Sequence, residues 1–151
     1  MKEKELIQNE MRIKLPSLSV NESVARSIVA AFCAQLDPTT SELADIKCVV
    51  SEAVTNCIVH AYKDTVGIIY ISVSLYKSGL IKIEIRDKGV GIDDVNRARE
   101  PLFTTDAQNE RSGMGFTVME SFTDKIRVLS KLGEGTKVIM YKRLTGKGEI
   151  A

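Results

Sequence analysis

The apolar residues of this chain change period part-way along, from helical spacing before residue 62 to strict alternation after residue 67. A fold that satisfies both must lay helices on a sheet. Ser19-x-x-Glu22 has the form of a capping box, and the helix it opens carries Val24, Ile28, Ala31, Phe32 and Leu36 before Asp37-Pro38 ends it. Thr39-x-x-Glu42 opens a second helix, running to about Tyr62, with Leu43, Ile46, Val50, Val54, Cys57 and Ile58 at helical spacing. From Gly67, Ile69, Ile71, Val73 and Leu75 alternate with Tyr70, Ser72 and Ser74. A turn at Lys77-Ser78-Gly79 then leads into Ile81, Ile83 and Ile85, alternating with Lys82, Glu84 and Arg86. This predicts an antiparallel hairpin with one buried face. Residues 10–15 read as a further short strand, Phe116 to about Phe122 as a short helix, and 125–131 and 136–142 as two more strands. The expected fold is α+β: a two-layer sandwich whose mixed, mainly antiparallel sheet carries its helices on one face.

Size and composition narrow the options further. With 151 residues, 44% of them hydrophobic, and no repeat or Pro/Gly/Ser linker, the chain reads as one domain over 1–144 with a polar tail at 145–151. Lys+Arg total 21 against 20 Asp+Glu, a net charge of +1 that offers no global basic field for nucleic acid. The amino terminus MKEKELIQNE lacks the apolar stretch of a signal peptide, and no window approaches the roughly 18 apolar residues of a membrane helix, so the expected location is the cytoplasm. Cys33, Cys48 and Cys57 form no C-x-x-C and lie within apolar helical patterns, where they read as small core residues rather than disulfide or zinc ligands. The single histidine, His60, excludes His-rich metal cages.

Eight of the ten glycines fall in G-x-G pairs: Gly89/Gly91, Gly113/Gly115, Gly133/Gly135 and Gly146/Gly148. One pair alone reads as a tight turn, and the last pair, in the tail, is read so. Repeated pairs suit a polyphosphate wrapped by backbone N–H groups, because glycine permits positive φ and close approach of a ligand. Asp87 keeps the parity of Ile81, Ile83 and Ile85 and so points to the buried face. It is either a turn-capping aspartate before Lys88-Gly89 or, beside Gly89, Gly91 and Ile92, an acceptor for the exocyclic amino group of adenine. Guanine presents an acceptor there, which would leave a buried carboxylate unpaired, at a cost on the order of 1–3 kcal/mol.

Glu52, Asn56 and His60 recur at i, i+4 and i+8 on the second helix, bordered by Val49 and Ala53. They form a solvated stripe or a partly buried functional one. In the functional reading Asn56 is a neutral oxygen ligand for Mg²⁺, Glu52 is the base for an attacking hydroxyl, and His60 is structural. Arg111-Ser112-Gly113-Met114-Gly115 precedes the short helix, where phosphates belong, and Arg111 either pairs with a γ-phosphate or is a solvated loop arginine. Residues 88–113 hold no sustained periodicity, as a lid or binding loop would.

Taken in order, Glu52-x-x-x-Asn56-x-x-x-His60, Asp87-x-Gly89-x-Gly91-Ile92, Gly113-Met114-Gly115-Phe116 and Gly133-Glu134-Gly135-Thr136 resemble the four nucleotide boxes of the Bergerat-fold ATPases. That superfamily includes gyrase, heat-shock chaperones, mismatch-repair proteins and histidine kinases. Within it, Asn21-Glu22-Ser23-Val24-Ala25-Arg26, Ser51-Glu52-Ala53-Val54-Thr55-Asn56, Pro101-Leu102-Phe103-Thr104-Thr105 and Arg111 to Phe116 look like the anti-sigma serine kinases of spore-forming bacteria. The resemblance runs from about residue 11 to 142. It implies a homodimer using ATP and Mg²⁺, with Asn56 on the metal, Glu52 as base, Asp87 reading adenine, Arg111 on the γ-phosphate and Thr136 supporting the adenine end. It also assigns Gly89, Gly91, Ile92, Thr104, Thr105, Ser112, Gly113, Met114, Gly115 and Phe116 to nucleotide binding, beneath a lid of about 96–112. Glu22 and Arg26 would touch both a sporulation sigma factor of the F type and the anti-anti-sigma protein whose serine accepts the phosphoryl group. Neither nucleic acid nor membrane is an expected direct partner. Ala61 stands where related sequences often have glycine. The neighbouring readings are a general-stress anti-sigma B type kinase, and a nucleotide-gated sigma-binding module without significant turnover. A histidine-kinase catalytic domain fits less well, because no long dimerisation helix with a phosphoacceptor histidine precedes the motifs.

Overall fold

The computed structural model describes residues 6–92 and 115–145. Its elements run β1 (Ile7–Pro16), α1 (Val20–Cys33), α2 (Thr40–Asn56), β2 (Ile68–Tyr76), β3 (Leu80–Arg86), α3 (Gly115–Ser121), β4 (Lys125–Lys131) and β5 (Gly135–Arg143). The five strands form one sheet in the order β1-β2-β3-β5-β4. The sheet was expected to be mixed, yet every pair is antiparallel.

Alternation sets the inner face. Ile71 pairs with Ile85 and Val73 with Ile83, and β5 adds Val138 and Met140 opposite Ile85 and Ile83. These side chains meet Ile46, Val49, Val50 and Val54 of α2 in one buried cluster. Each fully buried Ile or Val contributes roughly 1.5–3 kcal/mol relative to exposure, so this face holds the two layers together. Strand β1 starts earlier than its alternation suggested, at Ile7, and its Met11, Ile13 and Leu15 pack at the margin of the same core.

The helices depart from the sequence reading in instructive ways. The capping box at Thr39 is made in full: the Thr39 hydroxyl accepts from Glu42 N at 3.0 Å, and Glu42 Oε1 accepts from Thr39 N at 2.9 Å. The box at Ser19 is not made. Ser19 already has helical angles (φ −59°, ψ −30°), which point its side chain away from the free N–H groups, and the Glu22 carboxylate instead lies 3.4 Å from Arg26 Nε. The buried stripe of α1 is also displaced by about one residue. Ala25, Val29, Ala30 and Cys33 face the core, whereas Val24 and Ala31 are exposed and Ile28 and Phe32 half-buried. Helix α1 packs directly on α2, and small residues on the contact line let the two backbones approach. Leu36 is fully buried, as expected; Leu43 is only half-buried.

Helix α2 does not run as a regular α-helix to Tyr62. Residues Cys57–Ala61 form a π turn, closed by Tyr62 N donating to the Cys57 carbonyl at 2.9 Å. Such wide turns free a carbonyl from the α pattern and recur at functional sites. Here the Ala61 carbonyl accepts from Val90 N at 3.0 Å, tying the helix end to the loop after β3.

Candidate nucleotide site

The site is assembled where the end of α2, the end of β3 and the β4–β5 hairpin meet. The strand places Arg86 and Lys88 on the outer face, at 4.4 and 5.2 Å from the Tyr70 ring, while Asp87 between them turns inward and is 5% exposed. Asp87 Oδ1 accepts from Gly89 N at 2.9 Å and from Thr136 N at 3.2 Å, and Oδ2 receives the Cys57 thiol at 3.6 Å. Burial pushes the Asp87 carboxyl above its usual range, against the pull of the two backbone N–H groups and the thiol. Cys57 is raised well above an ordinary thiol by burial and then by the Asp87 charge, so its sulfur keeps its proton and donates.

The glycines hold this edge together. A Cβ on Gly89 would overlap the Ala61 carbonyl, and one on Gly135 would overlap the Asp87 carbonyl. Gly91 has φ +78° and passes against the Lys131 carbonyl, a conformation and an approach only glycine tolerates. Across the loops, Gly133 N donates to the Val90 carbonyl at 2.7 Å, and Ile92 N donates to Ser130 Oγ at 2.7 Å. Ser130 Oγ in turn lies 2.7 Å from Thr136 Oγ1, whose residue is 9% exposed. The loop after β3 and the hairpin before β5 therefore form one rim.

The polar stripe of α2 lies beside it. Glu52, Asn56 and His60 are all half-buried next to the fully buried Val49 and Ala53, which excludes a fully solvated stripe. The π turn contains His60, so that residue leaves the straight line an α pitch would give it. A Cβ on Gly115, at the start of α3, would lie 3.5 Å from Asn56 Nδ2 and 3.5 Å from Glu52 Oε1. The third motif thus ends against the first. Phe116 is 9% exposed within the hydrophobic core, which leaves only its backbone for a ligand. Thr104, Thr105, Arg111, Ser112, Gly113 and Met114, with the lid and the tail beyond Thr145, lie outside the described residues.

Among the described residues no three His, Cys, Asp or Glu side chains gather as a metal cage. The Asn56 side chain, a neutral amide facing the backbone at Gly115, suits a hard Mg²⁺ that takes few protein ligands and completes its shell with water and phosphate oxygens.

Two residues of the site carried no functional signal in the sequence, and a third carried only its parity. Cys57 was read as core, and is core, but also meets Asp87. Tyr62 donates its hydroxyl to the Ile68 carbonyl at 2.7 Å and accepts from Lys88 N at 2.6 Å, so it props the backbone next to Asp87. Ser130 joins the two halves of the rim. Parity along β4 places Ser130 on the inner face, and that was the one available hint. Cys48, also read as core, is half-buried; burial and then the Glu52 and Asp45 charges raise its thiol.

Residues 15–142 match the histidine kinase-like ATPase domain family. The chain is 53% identical over 140 residues to an anti-sigma F factor of Priestia megaterium, covering 92% of this chain and 95% of that protein. It is 56% identical over 134 residues to an anti-sigma F factor of Caldanaerobacter subterraneus subsp. tengcongensis, covering 89% and 93%. The chain belongs to the anti-sigma F factor family. Its ATP-binding kinase domain is of the serine-kinase type that goes with this family, and it belongs to sporulation control. The fold agrees with solved structures of much lower identity. The RsbU and RsbW domains of a Mycobacterium tuberculosis protein align with a TM-score of 0.65 at 19% identity, over 91% of this chain and 33% of that one. The catalytic domain of the histidine kinase ThkA aligns with a TM-score of 0.53 at 16% identity, over 91% and 97%.

Proposed function

We propose that this anti-sigma F family member binds Mg²⁺·ATP across the rim, phosphorylates a serine of an anti-anti-sigma protein, and as a nucleotide-bound homodimer holds a sigma factor of the F type. One observation carries the nucleotide reading: the start of α3 abuts Glu52 and Asn56, while Cys57, the next residue on the chain, touches the inward Asp87. A purine on Asp87 would therefore have its phosphates directed along α2 toward Asn56.

In this reading Asp87 accepts the adenine amino group, and Gly89, Gly91 and Thr136 shape the edge around it. Asn56 would hold Mg²⁺, which when bound neutralises phosphate charge. Glu52 accepts the proton of the attacking serine hydroxyl as its oxygen bonds to the γ-phosphorus, the bond from that phosphorus to the bridging oxygen breaks, and ADP leaves. Arg111, carried over from the family motif, would stabilise the γ-phosphoryl charge. Glu22 and Arg26, both half-buried and 3.4 Å apart on α1, supply the charged contact proposed for sigma factor and anti-anti-sigma protein alike.

The test is transfer of label from γ-labelled ATP to the anti-anti-sigma protein. Wild type should label a serine, Glu52→Ala should keep ATP affinity and lose transfer, and Asn56→Ala should lose Mg²⁺-dependent binding. Equal transfer by wild type and Glu52→Ala removes the base. Saturable ATP binding with no label from wild type leaves a nucleotide-gated sigma-binding module instead.

A further inference from the structure

An ionised carboxylate offers about four acceptor positions, two on each oxygen. At Asp87 three are already occupied. Oδ1 takes two backbone N–H groups, from Gly89 and Thr136, and Oδ2 takes the thiol of Cys57. One position is left, on Oδ2, and the carboxylate is buried too deeply for bulk water to choose it. The thiol therefore decides which direction the last lone pair faces.

We propose that Cys57 is a positioning residue for purine recognition: its S–H group holds Asp87 so that a single acceptor is presented to the 6-amino group of adenine. The proposal rests on the ATP reading above and adds to it a residue that would touch neither base nor phosphate. Without the thiol, Oδ1 would keep its two backbone N–H groups but Oδ2 would expose two acceptor positions to the site, and a water could take the second. Burial already disfavours the charged form of Asp87, and loss of one donor disfavours it further. A protonated carboxyl can donate to the 6-oxo group of guanine, so the loss should narrow the discrimination between the two purines as well as weaken adenine binding. The wide turn of Cys57–Ala61 places the sulfur at the start of the segment that also anchors Val90, so one stretch of backbone fixes both the acceptor and the loop beside it.

The experiment is calorimetric titration of full-length wild type, Cys57→Ala and Cys57→Ser with Mg²⁺·ATP and with Mg²⁺·GTP, together with a thermal melt of each protein. Cys57→Ala is expected to bind ATP about tenfold more weakly, the scale of one lost hydrogen bond, with a smaller ATP-to-GTP ratio. Cys57→Ser, whose hydroxyl is a stronger donor on a shorter bond and so starts farther from Oδ2, is expected to recover both in part. A merely structural role would lower the melting temperature of both variants and leave the ATP-to-GTP ratio unchanged, and that result overturns the proposal. An infrared spectrum supplies a readout that needs no ligand. The S–H stretch that disappears in Cys57→Ala should lie below those of the other two thiols in wild type, and coincidence of the three bands overturns the hydrogen bond. If wild type binds neither nucleotide, the ATP reading falls and takes this proposal with it. If wild type prefers ATP while Cys57→Ala retains the full preference, only the positioning role falls.

Discussion

Glu42 at the start of α2 and Asp87 at the end of β3 are both acids removed from water, 8% and 5% exposed, and the protein treats them oppositely. Glu42 is saturated. Thr39 N donates to its Oε1 at 2.9 Å, while Thr145 N and Thr145 Oγ1 donate to Oε2 at 2.7 and 3.0 Å. Burial by itself would raise its carboxyl, but these donors outweigh it and the pKa falls below the usual carboxylate value. Asp87 receives two backbone N–H bonds on one oxygen and only a long thiol contact on the other, and its pKa rises. Glu42 ties the start of α2 to Thr145, just past the last strand, and each of its oxygens is anchored by an N–H donor. Asp87 has one oxygen held by nothing stronger than a thiol, which is costly in the free protein and useful only when a better donor arrives.

The sharpest way to break this contrast is Asp87→Asn. The amide can keep the Gly89 and Thr136 bonds through its oxygen but would present N–H to the adenine amino group. ATP affinity should fall on the order of 100-fold in calorimetry, with the ATP-to-GTP preference reduced or reversed and folding stability little changed. The converse substitution, Glu42→Ala, removes the carboxylate half of the capping box of α2 and leaves the Thr39 N and Thr145 donors unpaired. Chemical denaturation should show a loss of about 2–3 kcal/mol, with ATP affinity unchanged. If Glu42→Ala weakened ATP binding as strongly as Asp87→Asn, the division between a structural and a recognition carboxylate would be wrong.

A smaller effect tests the turn that delivers Thr136 to Asp87. Gly133 has φ +84° with nothing within 4 Å of a Cβ, so Gly133→Ala meets no neighbour and should cost about 1 kcal/mol from backbone strain alone. ATP affinity should stay within error of wild type.

The smallest effect is a pair of slopes in stability against pH. Glu42 has a folded pKa below its unfolded value, so its contribution is complete above the unfolded pKa and is lost as pH falls through the folded one. Asp87 has a folded pKa above its unfolded value, so its contribution is complete below the unfolded pKa and is lost as pH rises through the folded one. Melting temperatures across the acidic range should therefore flatten at the low end in Glu42→Gln and at the high end in Asp87→Asn. Matching slopes in the two variants would erase the contrast.

Much of the fold was legible because the sheet follows a simple rule. Alternation at Ile69 to Leu75 and at Ile81 to Ile85 assigned the inner face correctly, and Asp87 kept that parity. The Thr39–Glu42 box was legible for the same reason: both partners are close in sequence. What failed depended on partners distant in the chain. Ala25 and Ala30 are buried because α2 passes close by, which the apolar count along α1 does not register; separately, Ser19 was excluded as a cap by backbone angles that no residue type reveals. Of the site, the motifs marked Glu52, Asn56, Asp87 and the glycines. Cys57 and Tyr62 stayed invisible, and Ser130 nearly so, because a thiol, a phenol and a hydroxyl gain their partners at this rim only once folding has chosen their neighbours.

The wide turn at Cys57–Ala61 fixes a reading frame between the helix layer and the sheet layer. Removing one residue there would let the helix continue at its ordinary pitch, swinging the Ala61 carbonyl roughly 100° about the axis and away from Val90. The side chains of this segment are free to change in ways its length is not, because a shorter turn would unhook the loop after β3.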